Sequence, residues 1–183
     1  MAGDIDNPRI WAGADVYVAP VGTTAPTNIA TPLNAAFEAL GLLGEDGASE
    51  SRDQDSTDHY AWGGILVRTT RSKHKRTLNV IALEDNLTVL GLVEPNSVTT
   101  DNGTIATTVV SVPTDPDPRA FVLEVTDGDI TKRRSIPKGE VTEVAEVKLS
   151  DSDMTAYELT ITIYPVDGVL YTDITDDTQR LSA

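Results

Sequence analysis

The segment from His59 to Leu83, HYAWGGILVRTTRSKHKRTLNVIAL, holds no acidic residue in a chain that carries 29 of them. Five cations, Arg68, Arg71, Lys73, Lys75 and Arg76, fall within nine consecutive positions. The ends of the segment, Ile65-Leu66-Val67 and Thr77 to Ile81, are rich in aliphatic and β-branched side chains, which favour strands. Two strands separated around Ser72 to Lys75 are expected. If the middle were extended, Arg71, Lys73 and Lys75 would share one face and His74 and Arg76 the other, so neither face could serve as a core.

Working outward, Glu45 to Asp58 (EDGASESRDQDSTD) carries six carboxylates against Arg52 alone. It is polar and has no apolar period, and so reads as a long exposed loop. Adjoining blocks of opposite sign belong to surfaces that meet something: another part of the fold, a copy of the protein, or an anionic ligand.

Composition narrows that choice. The chain has 183 residues and a formal net charge of −15, with a pI near 4.3. Such a molecule is repelled by phosphate backbones, so tight DNA binding is not expected. The length suits one well-buried domain spanning 1–183, with an N-terminal arm at 1–12 and a polar tail at 175–183. There is no cysteine, hence neither a disulfide framework nor a thiolate metal site. No apolar run approaches the roughly 20 residues of a membrane span, and MAGDIDNPRIW lacks the basic-then-apolar order of a signal peptide. The expectation is a soluble protein made inside the cell, with no membrane contact.

The rest of the chain reads as strands and turns. Ala14 to Ala19 alternates and is closed by Pro20. Thr31-Pro32, with Leu33, Ala36, Phe37 and Leu40 at helical spacing, suggests a short helix limited by Gly41 and Gly44. Asn86 to Glu94 reads as the main helix, with Leu87 and Leu90 on its apolar stripe and Pro95 as its stop. Strands are expected at Thr104 to Val112, Phe121 to Val125, Ile130 to Ile136, Glu140 to Leu149, Tyr157 to Ile163 and Val169 to Ile174. Asp127-Gly128 suits a tight hairpin turn.

Catalytic and metal signatures are weak. Two histidines, His59 and His74, leave little material for acid/base work, and there is no G-x-S-x-G, HExxH or Gly-rich phosphate loop. Asp53-x-Asp55-x-x-Asp58, Asp127-x-Asp129 and Asp151-x-Asp153 lack the spacing of an EF-hand loop. No enzyme, cofactor or metal is expected. Trp62 beside Gly63-Gly64 reads as a core or interface anchor next to a bend.

In their order and spacing, GADVYVAPVGTTAPTNIATPLNAAFEALGLLGEDG, the polar loop, YAWGGILVRT and EDNLTVLGLV resemble the major tail tube proteins of long-tailed, non-contractile bacteriophages, the actinobacterial-phage branch in particular. The resemblance runs from about Trp11 to Val93; the second half matches only in kind. It implies a mainly β fold of two packed sheets, sandwich- or barrel-like, with one flanking helix. It also implies a structural role: six copies form a ring, rings stack into a tube, and DNA leaves the capsid through the lumen. Tape-measure, tail-tip and tail-terminator proteins would be further partners. The long loop of that family, matched here by Glu45 to Gly64, reaches neighbouring subunits. Interface candidates on this reading are Glu50, Asp53, Asp55, Asp58, Trp62, Arg68, Arg71, Lys73, Lys75 and Arg76, with the acidic loop of one copy meeting the basic segment of the next. Lumen candidates are Glu124, Glu143, Glu146 and Glu158. Some relatives carry an added immunoglobulin-like domain, for which this chain is too short. The rival reading is a monomeric β-sandwich binding module, receptor-binding or capsid-decorating, and a small acidic hydrolase stands third.

Overall fold

A computed structural model describes residues 8–177. The arm expected at 1–12 and the tail expected at 175–183 lie largely outside the described residues. Their inner ends are tied together: the Arg9 guanidinium donates to both carboxylate oxygens of Asp177 at 3.2 Å.

In chain order the elements are β1 (Gly13–Pro20), β2 (Glu38–Ala39), β3 (Leu43–Tyr60), β4 (Leu66–Ala82), α1 (Leu87–Val93), β5 (Val98–Asp101), β6 (Ala106–Val109), β7 (Arg119–Asp127), β8 (Ile130–Val144), β9 (Tyr157–Ile163) and β10 (Thr172–Thr175). β5 and β6 form a separate hairpin, and the other eight strands form one antiparallel sheet in the order β2-β1-β7-β8-β9-β4-β3, with β10 beside β8.

The two expected layers come from one bent strand. β8 pairs with β7 from Ile130 to Gly139 and with β9 from Gly139 to Val144. Gly139 is the corner: a Cβ there would lie 2.9 Å from Ile161 and 3.1 Å from Phe121. A strand that changes partners at such a corner divides one sheet into two lobes, β2-β1-β7-β8-β10 and β8-β9-β4-β3. The alternating side chains of both lobes meet in a common core, with Val16, Phe121 and Ile136 from one and Leu78, Val80, Leu159 and Ile161 from the other. Asn86 caps α1 by accepting the Val89 N–H at 2.9 Å, and its amide donates to the Leu40 carbonyl at 2.9 Å. Those two bonds fix the helix beside the core.

Several expectations are corrected. Glu45 to Asp58 is a strand, the greater part of β3, because from Ala48 onward its backbone pairs with β4 although neither face has apolar content. The basic segment is one strand, not two. The helix expected from Thr31 is absent: Asn34 accepts the Ala36 N–H with its side chain and the Phe37 N–H with its carbonyl, a local turn that competes with a helix. Leu40 instead donates its N–H to the Val16 carbonyl and enters the core. The buried stripe of α1 is Val89 and Leu92, while Leu87 is exposed. The strand expected to reach Leu149 ends at Val144, and the two strands expected before and after Lys138 are the single strand β8.

Candidate assembly surfaces

Beyond Ser51 and Thr77 the hairpin of β3 and β4 leaves the body and runs through solvent, with nearly every residue from Ser51 to Arg71 exposed. At about 3.3 Å per residue, the stretch from Ser51 to Trp62 projects on the order of 35 Å. The acidic and basic blocks, adjacent in sequence, face each other across this arm. Asp53 lies opposite Lys75, and Lys73 contacts Asp55 at 2.9 Å. Asp58 accepts from Thr69 at 2.7 Å, and His59 bonds Thr70 at 2.9 Å. The complementarity expected between subunits is therefore met in part within one chain.

Lys73 is an extra residue in β4, at φ 54°. Such a bulge shifts parity in the strand that carries it. Arg71, opposite Ser56, therefore shares a face with His74 and Arg76, while Lys75 lies with Arg68 on the other face. The expected grouping of Arg71 with Lys75 does not occur. At the tip, the Gly64 N–H donates to the Ala61 carbonyl, Gly63 and Gly64 take positive φ, and Trp62 is 102% exposed.

Glu50 and Arg76, both expected at an interface, form the root of the arm. Glu50 bridges the Arg76 and Arg134 guanidiniums. Arg134 also grips Asp173 with two bonds, at 2.6 and 2.8 Å, and Lys132 approaches the same carboxylate at 3.3 Å. The Tyr171 ring lies 3.9 Å from the Arg134 guanidinium carbon and 5.3 Å from that of Arg76. Burial on its own would push the Asp173 pKa up; the Arg134 bonds and the charges of Arg134 and Lys132 outweigh it and hold the carboxyl below its ordinary value. The bond to Asp173 raises Arg134 in turn, against the opposing effect of burial. The cluster joins β3 and β4 of one lobe to β8 and β10 of the other. No local motif could have revealed it, since Glu50 and Arg134 are 84 positions apart.

The outer face of the second lobe has a different character. The register places Thr77, Asn79 and Ile81 of β4 beside Thr162, Thr160 and Glu158 of β9, and Glu140 and Glu143 of β8 opposite Thr162 and Thr160. At these positions the face carries hydroxyls, carboxylates, the Asn79 amide and Ile81, but no Lys or Arg. Glu143 and Glu158, both lumen candidates, lie here and are exposed. Glu146 is exposed just past the end of β8. Glu124 is elsewhere. It accepts from Arg133 at 2.6 Å, and Arg133, 5% exposed, also donates to the carbonyls of Asn28 and Thr31, so a loop covers that pair.

A bent, mainly β subunit with an extended arm and a polar outer face is the architecture of a building block, a structural protein that joins copies of itself. The comparisons agree. The sequence matches the family described as phage tail tube protein over residues 1–183. One similar solved structure is the cryo-EM sheath–tube complex, in its extended state, of an extracellular contractile injection system termed PVC; it shares 8% identity, with a TM-score of 0.50 over 92% of this chain and 93% of that one. That likeness concerns the fold. No curated protein matches the sequence. The chain belongs to the phage tail tube protein family: it is a non-enzymatic, homo-oligomeric component of the virion tail. No helix among the described residues is long and apolar enough to cross a membrane.

Proposed function

We propose that this chain closes into six-membered rings that stack into the conduit for DNA ejection, with the outer face of the β8-β9-β4-β3 lobe as the lumen wall. The observation that carries this is that lobe's combination of open edges and an outer face that carries no cation over the part of β4 from Thr77 to Ile81 and the β9 and β8 residues beside it. β3 is an unpaired edge, and β8 beyond Gly139 pairs only on its β9 side. Joining β3 of one copy to β8 of the next removes both edges and makes the lobes one continuous wall. Glu143 and Glu158 then face the passage and repel phosphate, so DNA slides without sticking. Glu124 has no place in that wall, because Arg133 and the loop above it hold it in the other lobe. Asp53, Asp55, Asp58, Trp62, Arg68, Arg71, Lys73 and Lys75 remain the interface residues. Glu50 and Arg76 serve from within, by orienting the arm. Tape-measure, tail-tip and terminator proteins would occupy the lumen and the two ends of the tube. The sequence resemblance favours the non-contractile branch.

Electron microscopy of the purified chain tests this reading. Hollow tubes built of six-subunit rings, with Glu143 and Glu158 on the inner wall, are expected; a species that stays monomeric at high concentration would refute it and leave the binding-module alternative. Changing both glutamates to lysine should leave tubes able to form but make them retain DNA fragments at low salt.

A further inference from the structure

We propose that the tip of the arm, centred on Trp62, seats in a cleft at the opposite end of β3 on the copy ahead of it in the tube; this rests on the tube reading above. Tyr60, Trp62, Ile65, Leu66 and Val67 are each more than half exposed, and they cluster at the end of the arm. An apolar patch this concentrated on a soluble chain marks a contact surface. The ribbon beneath it reinforces the point. Two strands alone are marginal in water, and these have no apolar face of their own, so a partner must complete them.

The cleft lies between the first residues of β1 and β3, with a volume of about 480 Å³. Trp11 and Leu42 supply apolar walls, while the carboxylates of Asp15, Glu45 and Glu84 surround the opening and no Lys or Arg lines it. Gly41 builds the Leu42 wall. Its φ of 89° lets the Glu84 carboxylate occupy the place of a Cβ and accept the Leu42 N–H at 2.8 Å, and the Leu42 side chain is left 69% exposed. The charges are complementary, since the arm behind the tip carries Arg52, Arg68, Arg71, Lys73, Lys75 and Arg76 against only Asp53, Asp55 and Asp58 and so keeps a positive excess. A flat indole suits a slot of this kind, and its N–H, which needs an acceptor once buried, would find one in the carboxylate rim.

Geometry sets the direction. The cleft adjoins the first residues of β3 and the tip follows its last, so 18 residues of strand separate them, on the order of 60 Å. The tip cannot reach the cleft of its own chain. A contact between opposite ends of one strand is heterologous, and with each ring already closed through the β3 and β8 edges, a contact at this distance is left to join one ring to the next.

The test uses the full chain and two readouts. Trp62→Ala, at a fully exposed position, should keep the circular dichroism of the parent and raise the concentration needed for tube formation at least tenfold. Because the chain has no cysteine, Ala61→Cys with Leu42→Cys reports the contact directly and leaves the indole in place. Oxidised tubes of this double variant should give a ladder of covalently joined chains on a denaturing gel, and Ala61→Cys with Thr108→Cys should give none. W62A tubes forming at the parental concentration, or A61C/L42C tubes without a ladder, would overturn the tip contact and leave the tube reading standing. A parent chain that never assembles would overturn both.

Discussion

β3 and β4 each have two halves that obey different physics. Within the body, β4 alternates Leu78, Val80 and Ala82 into the core against Leu159 and Ile161, and its place is set by burial. Past Arg76 the same strand, still paired with β3, has no core to face, and its place is set by backbone hydrogen bonds, an ion pair and a bulge. The difference shows that strand formation here needs a pairing partner more than it needs an amphipathic pattern. It also separates two tasks: the inner half holds the subunit together, and the outer half is free to be specified by a neighbour.

Breaking the inner half should have the largest effect. Leu78→Ala removes a fully packed side chain and should lower stability by about 2–5 kcal/mol in urea unfolding, carrying the arm with it. A loss below 1 kcal/mol would mean that the body does not depend on this seam. Next comes the root. Asp173→Asn removes the carboxylate that Arg134 grips with two bonds, leaving it only Glu50, and should cost about 1–3 kcal/mol near neutral pH. Because the folded state holds Asp173 below its ordinary pKa, its contribution is complete above about pH 4 and is lost as pH falls through the lower folded value. The variant should therefore converge with the parent in acid, and a constant gap at every pH would contradict the assigned pairing.

Replacing residues 52–75 with a short turn should change the stability of the body by less than about 1 kcal/mol, since the arm buries so little, while assembly is abolished. Tubes from the armless chain would show that the lobes alone carry the interface. The smallest effect is expected from Asp55→Ala. It removes the contact with Lys73, an exposed pair of the kind that contributes nearly nothing, and the unfolding midpoint should not move measurably.

Where residues alternate between core and solvent, the sequence was legible. β1 and β9 fall where their periodicity places them, and Asn86 marks the start of the main helix. Glu45 to Asp58 was not legible as a strand, because a ribbon exposed on both faces has no period to detect. The Thr31 helix failed for a different reason: Leu33, Ala36 and Leu40 have helical spacing, but the Asn34 side chain closes a local turn first. Beside Trp62 the bend was legible, since Gly63 and Gly64 both take positive φ, but Trp62 itself is fully exposed and not a core residue. The role of Glu50 was not legible, since its partners lie far along the chain on strands whose approach depends on the whole fold. Lys73 was hidden for a third reason. A single positive φ reverses the grouping of the cations around it, and lysine is not a residue that advertises such a conformation.

The corner at Gly139 has a consequence for how the subunit can vary. Both lobes hang from one strand at a residue where even a methyl group would press on Ile161 and Phe121. Surface loops and the arm can change length or charge without disturbing that hinge of the architecture. The angle between the layers, in contrast, is locked at one position with no room for a side chain. In a tail tube that repeats one subunit many times, a change in that angle would be repeated in every copy. The bend of each subunit thus turns on the absence of a single carbon atom.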